Sequence, residues 1–294
     1  MNGPLPFPDI TPEIFSVTVF GFELALRWYA MGYIVGIAIG WQVIAYALRR
    51  PHLWKNDTPF LDVSKLDDLL TYVVIGGIAG GRIGYTMFYN ASYYLANPIE
   101  IPMVWQGGMS FHGSMIGMLI SMTIFSYRHK VHLGSLLDSI AISAFSTIFL
   151  VRITNFINAE LWGRPTDVPW AVAFPGEAAQ ACATAAQACG RHPSQLYEAG
   201  LEGLVVGAVL LILTFRFRIL RFPWAAGGVF LIGYGASRFL VEFVRQPDAQ
   251  FITAGNPLGL AFHIDGFGLT MGQTLTLPMI IGGIVLIVLS RRQA

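Results

Sequence analysis

The strongest constraint in this chain is a set of seven apolar runs, each close to the length of a membrane crossing and bounded by charged or turn-forming residues. They cover Phe22–Leu48, Leu69–Tyr89, Phe111–Tyr127, Leu136–Phe156, Leu196–Phe215, Ala225–Val244 and Met271–Ser290. About 20 apolar residues cross the hydrocarbon layer as a helix, and an isolated helix satisfies its own backbone there. Charged residues make up 12% of the chain, against roughly 25% in ordinary soluble domains. A mean hydropathy of +0.59 agrees. The expected fold class is therefore an all-α polytopic membrane protein with seven transmembrane helices and a small external head or lid region. Residues 1–294 then form a single transmembrane domain, and residues 158–193 form the head inserted in it, because that Pro-, Ala- and Gly-rich segment is too long for a simple turn. A soluble enzyme is excluded, and a net charge of +1 leaves no basic excess to bind nucleic acid.

The connections set an orientation. One side collects eleven basic residues, at 49, 50, 55, 65, 128, 130, 216, 218, 221, 291 and 292, while the other holds only Arg164 and Arg191. Basic loops remain in the cytoplasm. The N-terminus is thus expected outside, the C-terminus inside, and the loops around Ile99, Val168 and Asn256 outside. The first twenty residues have no basic start and carry several prolines and two acids, unlike a cleavable secretory signal, so insertion is expected to rely on the internal spans.

Five arginines remain, Arg27, Arg82, Arg152, Arg238 and Arg245, each inside or at the end of an expected span. An arginine at mid-bilayer costs ~2.5–3.5 kcal/mol on insertion scales, so several in one bundle require partners or a watery cavity. Glu23, Asp138, Glu160, Glu198, Glu202 and Glu242 are available as counter-ions, and Arg238 and Glu242 share a helix face at i, i+4. Internal salt bridges account for any one of these arginines more easily than for all five. A guanidinium stays charged when partly buried and holds phosphate through two parallel hydrogen bonds. The expectation is a cavity lined by unpaired arginines that receives an anionic group, most plausibly a phosphate.

Gly76, Gly77, Gly80, Gly81 and Gly84 recur at four-residue spacing around Arg82, a pattern of close helix packing rather than a phosphate loop. Gly32, Gly36 and Gly40 repeat it in the first span, Gly113 and Gly117 in the third. His112 falls where the third span begins, as an interfacial polar group or a catalyst. Cys182 and Cys189 lie in the head segment and form a disulfide if that segment faces an oxidising compartment; otherwise they are two small unpaired residues. No metal-ligand spacing, Gly-x-Ser-x-Gly elbow or nucleotide motif occurs, so no metal and no cofactor are expected. A secondary transporter for an anionic solute would also need intramembrane arginines, but it predicts pseudo-symmetric halves, and none are evident. A non-catalytic assembly factor would need each arginine matched by a carboxylate.

The segments RWY, GGRIGYTMFYN, WQGGMSFHG, NFINAELWGR, RHPSQLYE, LIGYGASRFLVEFVRQPDAQF and MGQ, in this order from the first span to the last, resemble the bacterial prolipoprotein diacylglyceryl transferases. The resemblance implies a seven-helix inner-membrane enzyme. It would move the diacylglyceryl group of phosphatidylglycerol to the lipobox cysteine thiol in a prolipoprotein signal peptide, forming a thioether and releasing glycerol phosphate. It makes Tyr29, His112, Arg152, Asn155, Gly163, Tyr234 and Arg238 the functional positions. Arg152 and Arg238 are expected to hold the lipid phosphate, and His112 either to take the thiol proton or to orient the head group. Arg82 and Glu242 would line or brace the same cavity. Three positions, in two segments, depart from the family pattern. Ser114 replaces the second glycine after the histidine, and Val151 and Thr154 replace the glycines flanking Arg152, which is expected to set the fourth helix slightly further out.

Overall fold

The computed structural model describes residues 3–19, 22–184, 187–247, 249–253, 255–264 and 267–292, and these are mostly helical. The helices are α1 (Trp28–Leu48), α2 (Leu66–Phe88), α3 (Ala91–Ala96), α4 (Phe111–His129), α5 (Leu133–Ile157), α6 (Ser194–Glu198), α7 (Val206–Phe215), α8 (Ala225–Val241) and α9 (Met271–Arg292). A π-helical stretch, Ala199–Val205, joins α6 to α7 without a break. Each expected apolar run is helical over most of its length, and among the described residues four helices, Trp28–Leu48, Leu133–Ile157, Ser194–Phe215 and Met271–Arg292, are long and apolar enough to cross a membrane. Among the described residues six short strands pair two by two: β1 (Leu5–Pro6) with β4 (Val172–Ala173), β2 (Glu13–Val19) with β3 (Phe22–Arg27), and β5 (Phe262–Ile264) with β6 (Phe267–Leu269).

One expectation is corrected at the start of the chain. The first helix begins at Trp28 rather than Phe22, because residues 22–27 pair antiparallel with residues 13–19. Arg27 is consequently no intramembrane helical cation; its side chain is 64% exposed and bonds Glu13 at 3.2 Å.

The chain forms two compact units, Met1–Ile44 with Asp138–Ala294, and Ala45–Leu137, the boundaries falling inside α1 and α5. In the smaller unit, α2 lies against α4 through the expected glycines: a Cβ on Gly80 would stand 2.7 Å from the Gly117 Cα. In the larger unit, a Cβ on Gly36 of α1 would stand 2.6 Å from the Thr147 Cα of α5, so these backbones also touch. Thr154 meets the space left by Gly32, with its Cγ2 3.0 Å from where a Cβ there would lie. The glycines of α1 thus supply close packing where α5 carries threonine, which argues against the expected outward shift.

Asp138 serves the scaffold rather than an arginine. It is fully buried on α5, and its carboxylate accepts the backbone N–H groups of Trp224 and Gly227, both at 2.7 Å. The first residues of α8 have no side-chain cap of their own. The carboxylate satisfies these donors at the positive end of the helix dipole. Asp138→Ala is expected to lower stability by about 1–3 kcal/mol, the cost of unsatisfied buried donors, measured by thermal unfolding in detergent.

The head packs around a small aromatic cluster. The rings of Phe7, Phe156 and Phe174 meet at centroid distances of 5.4–5.7 Å beside buried Val172 and Ala179. Arg191, buried, stacks 4.0 Å from the Trp162 ring and donates to the carbonyls of Ala178, Ala179 and Gly163 and to Gln246. Cys182 and Cys189 are disulfide-bonded. Closing so short a loop is worth about 2–3 kcal/mol through chain entropy. Reduction with dithiothreitol is therefore expected to open residues 176–190 to proteolysis, with the helices left intact.

Candidate active site

Arg152 on α5 faces Glu198 at the end of α6 (3.1 Å) and Glu202 in the π-helical stretch (3.4 Å). Arg238 on α8 holds Glu198 with one terminal nitrogen and Glu242, one turn later, with the other. Arg245 approaches Glu198 at 3.5 Å. Glu242 also accepts from the Thr270 hydroxyl at 2.7 Å. Glu198 is therefore the hub of three guanidinium groups, and the π-helical stretch follows it directly, a backbone feature frequent at functional sites.

The expectation of unpaired arginines is thereby corrected. Three guanidinium groups face three carboxylates, because a buried charge without a partner is too costly to keep. The pairing is nevertheless lopsided in space. The side chains of Arg152, Arg238 and Arg245 are 15–18% exposed, while Glu198 and Glu202 are 0% exposed and Glu242 is 7% exposed. The reachable face of a nearly neutral cluster is cationic. A cavity of about 160 Å³ opens on it, lined by Arg238, Glu242, Arg245, Gln246, Thr270 and Met271 among others. That is below the ~300–1,000 Å³ of pockets that enclose a drug-sized ligand, and suits a head group rather than a whole lipid.

Most of the expected site residues in the larger unit gather around this cluster. Tyr234 on α8 lies within electrostatic reach of Arg152, Arg238, Glu198 and Glu202. Tyr29, at the start of α1, lies within reach of Arg152 and Glu160, and its hydroxyl is 3.4 Å from that of Tyr33. Asn155 is buried and donates to Glu160 at 2.7 Å, which Asn158 also approaches at 3.3 Å. Gly163 pairs with Arg245 in an isolated β-bridge, and its N–H donates to the His192 carbonyl at 2.8 Å. A Cβ there would stand 2.6 Å from the Val244 oxygen and 2.7 Å from the His192 Cβ, so only glycine lets the head come down onto Arg245. Burial lowers the pKa of the His192 imidazole by disfavouring its charged form.

His112 and Arg82 belong to the smaller unit. His112 is exposed in the first turn of α4, after the Ser110 cap, with its ring edge-on to Phe111 at 5.7 Å. Arg82 is buried on α2 and donates to four backbone carbonyls. Of the expected counter-ions, Asp138 caps α8, Glu160 holds Asn155, and the side chain of Glu23 lies outside the described residues. The sequence offers Glu198 and Glu202 only as available counter-ions and Arg245 only as one of five span arginines, with no functional role for any of the three, although Glu198 closes the RHPSQLYE segment.

Residues 16–289 match the family described as prolipoprotein diacylglyceryl transferase. The phosphatidylglycerol–prolipoprotein diacylglyceryl transferase of Roseobacter denitrificans is 57% identical over 294 residues, covering 100% of both chains. The protein of the same description from Ruegeria pomeroyi is 54% identical over 99% of both chains. That from Brucella anthropi is 45% identical over 95% of this chain and 92% of its own.

Proposed function

Because the chain belongs to the prolipoprotein diacylglyceryl transferase family, we propose that it moves the diacylglyceryl group of phosphatidylglycerol onto the lipobox cysteine of a prolipoprotein signal peptide. The cysteine sulfur attacks the glyceryl methylene, the carbon–oxygen bond to phosphate breaks, a thioether forms, and glycerol phosphate leaves with the bonding pair. The observation that carries this reading is the partly exposed guanidinium face of the Arg152–Arg238–Arg245 cluster, of which Arg238 and Arg245 line the cavity.

Magnitudes assign the roles. A thiol of pKa ~8.5 is a few per cent ionised at pH 7, so complete deprotonation by His112 gains roughly 30-fold, about 2 kcal/mol. Enzymes supply ~8–23 kcal/mol. The larger share must come from positioning the lipid and stabilising charge on the departing phosphate. At an effective dielectric near 20, one guanidinium ~4 Å from a phosphate oxygen contributes about 4 kcal/mol before desolvation. Arg152 and Arg238 take that role, and Arg245 lines the cavity wall beside Arg238. Glu242 fixes Arg238, while Tyr29, Asn155 and Tyr234 serve the lipid's head and ester oxygens. Gly163 keeps the head against Arg245.

We further propose the finer topology: seven spans in the bacterial inner membrane, N-terminus outside and C-terminus in the cytoplasm. The charge asymmetry of the loops supports it, and so does the disulfide of the head, since such bonds persist outside the cytoplasm. The test of function is incubation of the purified protein with phosphatidylglycerol and a lipobox peptide. Glycerol phosphate release that requires the peptide cysteine is the expected result. Release from the cysteine-free peptide at the same rate, or none at all, would overturn the reading.

A further inference from the structure

Arg82 is 3% exposed, and all three of its nitrogens are engaged. Its Nε donates to the Ile101 carbonyl at 2.6 Å, Nη1 to those of Gly107 and Gly108 at 2.5 and 3.3 Å, and Nη2 to that of Glu100 at 2.7 Å. The Tyr94 ring lies 5.0 Å from the guanidinium carbon. Among the described residues no carboxylate bonds it; the Glu100 carboxylate accepts instead from the Tyr93 hydroxyl at 2.8 Å. Carbonyl dipoles compensate the buried charge, and a phosphate at Arg82 would have to displace them.

All four carbonyls belong to residues 100–108, the segment that leads into α4. Gly107 and Gly108 have φ of +82° and +74°, backbone that favours glycine and that here turns successive carbonyls onto one nitrogen. Two residues later the Ser110 N–H donates to the Gly81 carbonyl at 2.9 Å, beside Arg82 on α2. The Ser110 hydroxyl accepts the Gly113 N–H at 3.2 Å and caps α4, whose second residue is His112. A continuous chain of bonds thus runs from Arg82 through the loop to the helix turn that carries His112. Arginine suits this task because its planar fork spreads donors over several directions, whereas lysine presents three from one point.

We propose that Arg82 is a positioning residue: it holds residues 100–110 and thereby sets where His112 meets the substrate thiol, without touching the lipid. The inference rests on the reading of His112 as proton acceptor. Arg82→Lys keeps the charge and loses the fork. A displacement of about 1 Å costs on the order of 100-fold in rate, so kcat is expected to fall about that far while KM for phosphatidylglycerol changes less than about threefold. Amide exchange across residues 100–112 is expected to accelerate. Adding Arg82→Lys to His112→Gln should cost almost nothing more, since both act on one step.

Gly107→Ala provides a second route to the same disturbance. Its Cβ meets open space, so it strains only the backbone that presents the carbonyl and leaves the guanidinium in place. It should reproduce the kcat loss and faster exchange even if Arg82→Lys fails to fold. Four results would overturn the proposal: a raised KM with kcat retained, which makes Arg82 a lipid ligand; unchanged exchange; additive losses in the double variant; or a His112→Gln protein of normal rate. If the unmodified protein releases no glycerol phosphate, the functional reading fails instead, and the exchange measurement still decides whether Arg82 holds the loop.

Discussion

Arg238→Lys is expected to slow diacylglyceryl transfer by two to three orders of magnitude while leaving a folded protein. The terminal nitrogens of Arg238 hold two carboxylates at once, Glu198 from α6 and Glu242 one turn along α8. A lysine ammonium is a single point on a flexible stem and cannot keep both in place while facing the cavity. In the proposed reaction the same guanidinium meets the growing charge of the departing phosphate. Removing one well-placed donor to a developing oxyanion costs about 2.7–4 kcal/mol, on the order of 10²–10³ in rate. The measurement is the initial rate of glycerol phosphate release, with thermal unfolding as the control for folding. Transfer within about threefold of the unmodified rate would show that positive charge suffices and that the fork is not used.

The parts of this arrangement legible in the sequence are those that depend on near neighbours. The i, i+4 spacing of Arg238 and Glu242 predicts an ion pair, and the pair is present. Glycines four apart predict backbone contact, and α2 meets α4 through them. Apolar length places the helices, but it misplaces the first start because the apolar residues of FELALR, despite Glu23 and Arg27, run on into the stretch that follows. Its strand conformation depends on pairing with residues 13–19, which hydropathy does not register. The pairing of Arg152 with Glu198 and Glu202 spans 46 and 50 positions, from 152 to 198 and from 152 to 202, and requires two helices to meet. The partners of Arg82 are carbonyls, which every residue carries and no composition reveals. Counting carboxylates supplied the candidate counter-ions, but only the fold distinguishes Asp138, which caps a helix, from Glu198, which gathers three cations.

Glu198→Gln should have the widest consequences, because one fully buried side chain holds the cluster together. Its Oε1 serves Arg238 and Arg245, and its Oε2 lies 3.1 Å from Arg152. Glutamine keeps the shape, removes one negative charge, and turns an N–H₂ donor toward guanidinium groups that only donate. Three cations are left with Glu202 and Glu242. Removing one partner of a buried ion pair costs about 3–5 kcal/mol, which makes a clear fall in Tm the first expected result. Transfer should be lost with it, since Arg152 and Arg238 would no longer be held at a fixed separation. The sign of the charge change supplies a sharper test than either loss. With one fewer carboxylate the cluster carries a net positive charge, so a dianion such as glycerol phosphate should raise the Tm of the variant more than that of the unmodified protein. An unchanged Tm in the variant, or equal stabilisation of both proteins by glycerol phosphate, would mean that Glu198 does not balance these arginines and that the cavity lined by Arg238 and Arg245 is not where the phosphate sits.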